Sequence, residues 1–342
     1  MKRIFFLATV MACVLLTLPV MVYARSWRIN NDVSRKASFV DINAACASDD
    51  VMDGDFLYLD PGCDITTEQN ITKRVTVVGP GYFLADMAYV PAMIRAKLTL
   101  SAEGVILTGL YSTNDFYIKA NNVTIERCKV NRIMWQGMGE YATIRQCYLI
   151  CVEGDGAWAN SNSAYCTIEN CVIDGKTSNI SIQKFYSPTV RYNFVSNDYY
   201  TWHASVTSVV KDIVSGSITN NIIIMANDGS KNGVFENITN CQVTNNILSC
   251  APGTYPDYPN NTCIDTHEIT GIFICEGNTD RYYEMTQNSL AAIHAVGPFY
   301  GLHPYVFSGL PYRHPYYTNV TVSPQAQDGK VSVSLKGYIQ NE

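Results

Sequence analysis

The sequence predicts an all-β protein: a single-stranded, right-handed parallel β-helix, which is a solenoid with three strands per coil, an N-terminal cap and a C-terminal β-hairpin. An eight-residue phrase occurs six times between residues 123 and 248. Aliphatic residues fill its third and eighth positions, and Cys or Asn fills its sixth. A further strand-like segment precedes most copies. Repeats of this size indicate a solenoid in which each coil buries its core against its neighbours.

The copies of the phrase align on their third residue, and this alignment gives the period. The aligned residues are Ile125, Ile144, Ile168, Val190, Ile218 and Val243, at spacings of 19, 24, 22, 28 and 25 residues. A degenerate seventh copy at 104–111 centres on Ile106. Since β-branched residues fill the aligned position, strands are favoured over helices. The uneven spacing predicts loops of different length at one corner of each coil.

The sixth position predicts a tight bend whose side chain turns into the solenoid and stacks on its equivalent one coil away. It is filled by Cys128, Cys147, Cys171, Asn193, Asn221 and Asn246. Asn can form a ladder of amide hydrogen bonds, and it tolerates a left-handed backbone. Cys is a compact and nearly apolar filler. Stacked cysteine side chains point the same way, so we expect free thiols rather than disulfides.

A second strand is predicted before most phrases, at 116–120, 133–137, 180–184, 208–212 and 233–237. One coil is then a strand, a short turn, a strand, the Asn/Cys bend, a third strand and a variable loop. The alternative is a leucine-rich repeat, whose consensus is close to this phrase. Leu is scarce at the key positions, however, and the rest of each coil lacks a helical pattern.

The N-terminus reads as a secretory signal over residues 1–24. Lys2 and Arg3 are followed by an apolar run, and small residues lie before a cleavage site after Ala24. The alternatives are an uncleaved membrane anchor and a lipoprotein box ending at Cys13. Cleavage leaves 22 positive and 30 negative side chains, a net charge of −8. Without a basic cluster, nucleic acid is excluded as a partner, and no later segment is apolar enough to span a membrane.

The two ends of the chain resemble those of secreted pectate-lyase-like β-helix proteins. "VMDGDFLYLDPGCDI" (51–65) is similar to their opening motif, and "NSLAAIHAVGPFYGLHPYVFSGLP" (288–311) is similar to their tail, although Ile293-His294 stand where the family has Gly. Two alternating segments, 316–323 and 330–338, predict the closing hairpin. The predicted domain spans 25–338, with a cap at 40–72, regular coils at 73–250, and C-terminal coils, cap and hairpin at 251–338.

The resemblance implies a secreted, periplasmic or cell-surface location and contact with polysaccharide, but not one activity. In such solenoids the ligand surface is the outer side of the first strand and the variable loop. Counting eight residues back from each aligned position predicts an outward set: Phe116, Ile118, Ser181, Gln183, Val209, Lys211, Val234 and Glu236. Aromatic and polar side chains on this surface give the ligand-binding candidates: Trp135, Trp158, Asp198, Tyr199, Tyr200 and Trp202.

Lyases of this family hold calcium with acidic residues and use Arg or Lys as the base, so the resemblance suggests catalytic candidates. Lys211 is the basic residue of the outward set, and His203 could exchange a proton near neutral pH. Glu153 and Asp155, in a Gly-rich loop, are candidates for a weak calcium site, with a solvated turn as the alternative. No paired Asp residues occur on neighbouring coils, so a glycosidase is not expected.

Two functions therefore follow from the sequence. In the first, the protein is a secreted or cell-envelope β-helix that contacts polysaccharide without a convergent catalytic centre. In the second, it is a uronate polysaccharide lyase.

Overall fold

The computed structural model describes residues 24–84, 90–159, 161–175, 180–197, 208–225, 233–250, 254–255, 257–264, 269–310, 315–322 and 333–339. This part of the chain is mostly β-structure, built from long sheets of parallel strands. That architecture is consistent with the predicted parallel β-helix solenoid. In the described ranges no helix has the length and apolarity needed to cross a membrane.

The strands are short, as expected for segments that each form one side of a coil. In chain order they are β1 (Ser26–Ile29), β2 (Phe56–Leu59), β3 (Asp64–Ile65), β4 (Gln69–Ile71), β5 (Thr76–Val78), β6 (Met93–Ile94), β7 (Leu98–Leu100), β8 (Ile106–Thr108), β9 (Tyr111–Ser112), β10 (Phe116–Ile118), β11 (Thr124–Glu126), β12 (Lys129–Trp135), β13 (Thr143–Arg145), β14 (Tyr148–Glu153), β15 (Thr167–Glu169), β16 (Val172–Asp174), β17 (Ile182–Tyr186), β18 (Thr189–Arg191), β19 (Phe194–Asn197), β20 (Val210–Val214), β21 (Ser217–Thr219), β22 (Ile222–Met225), β23 (Phe235–Thr239), β24 (Gln242–Thr244), β25 (Ile247–Ser249), β26 (Thr262–Ile264), β27 (Pro315–Val322) and β28 (Val333–Ile339).

The described ranges also contain the helices α1 (Ile42–Ala47), α2 (Ile269–Ile272) and α3 (Leu290–His294). Short 3-10 turns lie at Val33–Arg35, Asp280–Tyr283 and Phe307–Gly309.

The parallel strands form three faces, which follow one another along each coil. The first face contains β4, β7, β10, the ends of β12 and β14, and then β17, β20 and β23. The second face is the ten-stranded sheet β1-β2-β5-β8-β11-β13-β15-β18-β21-β24. The third contains β3, β6, β9, the starts of β12 and β14, and then β16, β19, β22, β25 and β26. β12 and β14 each run from the third face of one coil into the first face of the next.

The register of the second face confirms the alignment of the phrases. Ile125 pairs with Ile144, and Ile144 pairs with Ile168. The same pairing continues through Val190, Ile218 and Val243. The degenerate seventh copy was aligned wrongly by one residue, because Leu107 rather than Ile106 pairs with Ile125. Leu107 is buried, whereas Ile106 is 37% exposed.

The corner between the second and third faces holds the predicted stack. Asn193 donates from Nδ2 to Asn221 Oδ1 at 3.0 Å, and Asn221 donates to Asn246 Oδ1 at 3.0 Å. Asn261 extends the ladder by one further coil, accepting from Asn246 Nδ2 at 2.8 Å. Each Oδ1 also accepts a backbone N–H, as from Asn221 N to Asn246 Oδ1 at 2.9 Å. The ladder therefore satisfies buried backbone groups that no strand partner reaches.

The left-handed residue at this corner is the fifth of the phrase, not the sixth as expected. Positive φ values occur at Arg127, Gln146, Asn170, Tyr192, Asn220 and Asn245. The bend at the fifth residue is what turns the sixth side chain inward. Cys128, Cys147 and Cys171 are fully buried in this column as free thiols, as predicted, and the other eight cysteines of the described ranges are also free. Burial raises the pKa of Cys128 and Cys171 well above the ordinary thiol value.

At the N-terminal end of the solenoid, α1 covers the core and β1 forms the outermost strand of the second face. The N-cap of α1 is Asp41, whose side chain accepts from Ala44 N at 2.7 Å. Ile42, Ala45 and Cys46 of α1 join the inner core. Asn43 hydrogen-bonds to the edge strand β4 through Asn70 N and Gln69 Oε1. The predicted antiparallel hairpin is present as β27 and β28.

A second hydrophobic core lies outside the solenoid, against the third face. Val172, Phe194, Ile222 and Ile247 are buried, although they point away from the inner core. Residues of the C-terminal segment 269–310 cover them, including Ile272, Phe273, Tyr283, Ala291, Val296 and Tyr305. The third face is therefore a packed interface rather than an exposed surface.

The left-handed corner residues bind the chain that returns along the solenoid, which we call the strap (residues 297–310). Arg127 Nη1 donates to Leu310 O at 3.0 Å, and Gln146 Nε2 donates to Pro304 O at 2.6 Å. Asn170 Nδ2 donates to Pro298 O at 2.9 Å and to Tyr300 O at 2.5 Å. The strap thus crosses successive coils, and the three corner side chains together hold four of its carbonyls.

Buried tyrosine and aspartate side chains fasten the C-terminal segment 269–310 to the coils beneath it. Tyr82 and Tyr305 share a hydrogen bond at 2.7 Å, and Tyr305 donates to Asp280 Oδ2 at 2.9 Å. Tyr283 donates to Asp174 Oδ2 at 2.5 Å. Burial raises the pKa of Asp280 above its ordinary value, although hydrogen bonds from Ser308 N and Tyr305 oppose this.

We predict that Asn221→Ala lowers the free energy of unfolding by about 2–3 kcal/mol, because it leaves the buried Asn193 N without its acceptor and removes the side-chain donor to Val190 O. Urea unfolding of the variant and of the wild type measures the difference. Gln242→Ala, an exposed position on the second face, is the matched control and should change stability by less than about 0.5 kcal/mol. Equal stability of Asn221→Ala and the control would contradict the ladder's structural role.

Candidate functional site

The first face carries an outward row of side chains, most of which are polar. Strand pairing places one residue of each coil in this row. Its members are Asn70, Thr99, Tyr117, Met134, Glu153, Gln183, Lys211 and Glu236. Neighbouring members are separated by about 4.8 Å, the spacing of parallel strands.

The predicted orientation of the first face is right for some members of the outward set and wrong for others. Gln183, Lys211 and Glu236 point outward, as expected. Phe116, Ile118, Ser181, Val209 and Val234 are buried instead. The inward column of this face is Phe116, Ile133, Val152, Ile182, Val210 and Phe235. Its distance from the aligned residue varies from coil to coil, since loops of different length turn the first corner, so a fixed count of eight fails.

Trp135 is the main correction among the ligand-binding candidates. Its side chain points into the solenoid and is 5% exposed. The indole Nε1 donates to Gly139 O at 3.0 Å, and the ring meets Phe185 edge-on at 5.1 Å between centroids. Its ring is thus packed in the core and offers no surface on which a ligand could stack.

The charged groups of the first face are arranged in pairs. Arg132 pairs with Asp115 at 2.5 Å, Lys184 with Glu153 at 2.5 Å, and Lys211 with Glu236 at 2.7 Å. The hydrogen bond to Glu236 raises the pKa of Lys211 above its ordinary value. A general base must be neutral before it accepts a proton, so this pairing is opposite to what a catalytic Lys211 needs.

The predicted calcium pair is also committed to other contacts. Glu153 is held by Lys184, and Asp155 closes its own loop. Asp155 Oδ2 accepts from Asn162 Nδ2 at 2.6 Å, while Oδ1 accepts from Ser163 N at 3.0 Å and Ser163 Oγ at 2.9 Å. Across the residues that the structure describes, no group of three His, Cys, Asp or Glu side chains could hold a metal ion. Both carboxylates are thus engaged by other groups of the protein, and the calcium site stays a prediction.

Asp198, Tyr199, Tyr200, Trp202 and His203 lie outside the described residues. The described chain ends at Asn197 in β19 and begins again at Ser208, before β20. The segment therefore links the third face of one coil to the first face of the next.

Sequence reasoning missed an aromatic cluster at the corner between the first and second faces. Tyr141 and Tyr165 lie on successive coils with their rings stacked, 5.3 Å apart between centroids and 14° from parallel. Tyr186 meets Tyr165 edge-on at 6.1 Å. Tyr141 is 54% exposed and Tyr165 is 44% exposed. We call these three residues the tyrosine corner.

Backbone strain sets the tyrosine corner apart from the rest of its row. The equivalent corner residues on the other coils are Asn122, Ser187, Ser215 and Asn240. All have positive φ, as do Tyr141 at 59° and Tyr165 at 57°. Asn adopts this conformation readily, whereas for a bulky residue it costs free energy on the order of 1 kcal/mol.

Of the two ligand-binding candidates within the described ranges, Trp135 and Trp158, only Trp158 is exposed. It is 57% exposed, in the loop closed by Asp155, and its ring rests against Gly156. That loop leads directly into Tyr165. The exposed ring of Trp158 therefore lies in the loop that precedes Tyr165, a residue of the tyrosine corner.

Comparison with models of protein families, with curated proteins and with solved structures gives no match to this chain. Its function is therefore argued from its own residues.

We predict that Asp155→Ala lowers the free energy of unfolding by about 1–3 kcal/mol, because the loop loses its hydrogen-bond acceptor. The loss should be the same in calcium and in EDTA, measured by thermal unfolding. Glu153→Gln, which breaks a partly exposed ion pair, is the control and should cost less than about 1 kcal/mol. If calcium stabilised the wild type but neither variant, the two carboxylates would form a metal site after all.

Proposed function

We propose that the protein is a secreted or cell-envelope right-handed parallel β-helix that binds polysaccharide through the tyrosine corner and the neighbouring first face, without a convergent catalytic centre. The observation that carries this proposal is the exposed, stacked pair Tyr141 and Tyr165, held in a backbone conformation that costs stability. Aromatic faces presented to water are the usual contact for the apolar faces of sugar rings.

The polar row of the first face complements the aromatic corner. Seven of its eight members carry a donor or acceptor, and Met134 alone interrupts the series. A polymer with regularly repeated hydroxyl groups can meet such a row at many points along its length. Because the charges are already paired with each other, the row favours a neutral or weakly charged glycan over a strongly charged one.

Secretion and handedness are part of the same proposal. The apolar leader at 1–24, which lies almost wholly outside the described residues, supports export and removal after Ala24. Parallel strands joined by crossovers within one sheet are right-handed in about 98% of cases, which supports a right-handed coil. The resemblance of residues 51–65 to the opening of pectate-lyase-like proteins agrees with both.

A uronate lyase remains the alternative, and the geometry gives it less support. Such an enzyme needs a base and a charge-stabilising group within about 3 Å of one substrate atom. Lys211 is instead bound to Glu236, and the calcium candidates Glu153 and Asp155 are engaged by other side chains.

We predict that wild-type protein binds at least one glycan on an array, and that Tyr141→Asn/Tyr165→Asn weakens that binding by about tenfold or more. Asn fits the left-handed corner, so the double variant keeps the fold while it loses both ring faces. Leu302→Ala, which removes an 83% exposed side chain on the strap, is the matched control and should bind like the wild type.

The absorbance of unsaturated product, measured with uronate polymers and calcium, tests the alternative in the same preparations. We expect no increase. Product formation that is lost in Lys211→Ala would favour the lyase, and equal glycan binding by the double variant and the wild type would contradict the tyrosine corner.

A further inference from the structure

A buried carboxylate lies beneath the start of β1. Asp55 is 1% exposed and accepts hydrogen bonds on both oxygens. Oδ2 accepts from Trp27 Nε1 at 2.8 Å and from Met52 N at 3.0 Å. Oδ1 accepts from Arg25 N at 2.7 Å.

The backbone of Arg25 is fixed on both sides by the next strand of the second face. Its carbonyl accepts from Phe56 N at 2.8 Å, and the following residue, Ser26, pairs in register with Phe56. Asp55 therefore meets the Arg25 nitrogen as part of the same contact that adds β1 to the edge of the sheet. This places a carboxylate at the first backbone nitrogen of the strand.

The carboxylate is held in its ionised form. Burial acts to raise the pKa of Asp55, but hydrogen bonds from Met52 N, Trp27 and Arg25 N outweigh it, so that the pKa lies below its ordinary value. Within the described ranges no salt bridge joins Asp55 to a basic side chain. A buried anion in such a site is stabilised most by a cation placed at one of its oxygens.

We propose that Asp55 is the binding site for the new α-ammonium group of Arg25, formed when the leader is removed after Ala24. This inference rests on the cleavage included in the proposed function. Hydrolysis breaks the bond between Ala24 C and Arg25 N. Water gives its hydroxyl to the Ala24 carboxyl group and a proton to the Arg25 amine, which takes a second proton from solvent. A neutral amide with one N–H becomes a cation with three, 2.7 Å from Asp55 Oδ1.

The ion pair couples export to the completion of the fold. In the uncleaved chain Asp55 meets a neutral N–H, and after cleavage the same contact is a charge-assisted hydrogen bond, which is about twice as strong. The mature N-terminus then secures β1, the outermost strand of the second face, against fraying. Removal of the leader therefore stabilises the sheet edge without moving any other residue.

The stabilisation from the ion pair between the Arg25 α-ammonium group and Asp55 depends on pH. An unpaired α-amino group has a pKa of about 7.7–8.0, and a neighbouring carboxylate raises it in the folded state. The stabilisation is then complete below about pH 7.7 and is lost as the pH rises through the raised folded value.

The test begins with the full-length chain, expressed in a secreting host and purified after export. Intact mass gives the N-terminus, which we expect to be Arg25. A second chain carries Ser-Gly inserted between Ala24 and Arg25, so that cleavage after Ala24 places the ammonium two residues away. Each chain is also made with Asp55→Asn. Hydrogen exchange of the amides of residues 26–29 is measured at pH 6 and pH 9.5.

At pH 6 the insertion should lower the protection factors of β1 by about fivefold or more in the Asp55 chain, and by much less in the Asp55→Asn chain. The difference should shrink at pH 9.5. Equal losses in both chains would overturn the ion pair, even if glycan binding is intact. A mature protein that begins elsewhere than Arg25 would overturn the cleavage on which it rests. Neither result depends on whether the tyrosine corner binds a glycan.

Discussion

The structure depends on each coil lying in register over the one before it. This register lets backbone hydrogen bonds run continuously along the three faces. It also places the sixth residue of each phrase directly over the sixth residue of the phrase before it. The Asn ladder is the most sensitive expression of this constraint. A shift of one residue would leave the Oδ1 of Asn221 without its donors and bury unpaired backbone groups at the corner. The ladder therefore specifies the register as well as stabilising it.

The three faces differ in the side chains that they direct outward, because each face has different surroundings. The third face is covered by the C-terminal segment, so its outward residues Phe194 and Ile222 are apolar. The second face carries its own charge ladder, in which Arg145 pairs with Glu126 and Arg191 pairs with Glu169. The first face and the tyrosine corner carry outward polar groups and exposed aromatic rings, and these are the surfaces through which we propose that a glycan binds.

Much of the fold could be predicted because its main signal is local and repeated. Six phrases with aliphatic residues at fixed positions determine the second face, the corner stack and the parallel pairing. The orientation of Trp135 could not be predicted, since it depends on loops of varying length at the first corner. The binding of the strap to the corners could not be predicted either, because the residues in contact, such as Arg127 and Leu310, are far apart in sequence. The tyrosine corner did leave a signal: Tyr141 and Tyr165 each stand directly before a phrase, where other coils have Asn or Ser. The sequence pattern alone does not show that this position is a left-handed bend, so the two tyrosines could not be assigned to an exposed corner.

The strap changes what kind of folding unit the solenoid is. A stack of coils that touch only their nearest neighbours can melt from either end, one layer at a time. Here, one continuous segment is tied to several layers through Arg127, Gln146 and Asn170. Opening any of these layers requires the segment to detach from the others as well. The middle of the molecule should therefore behave as a single cooperative block, while the layers beyond the reach of the strap are free to open on their own.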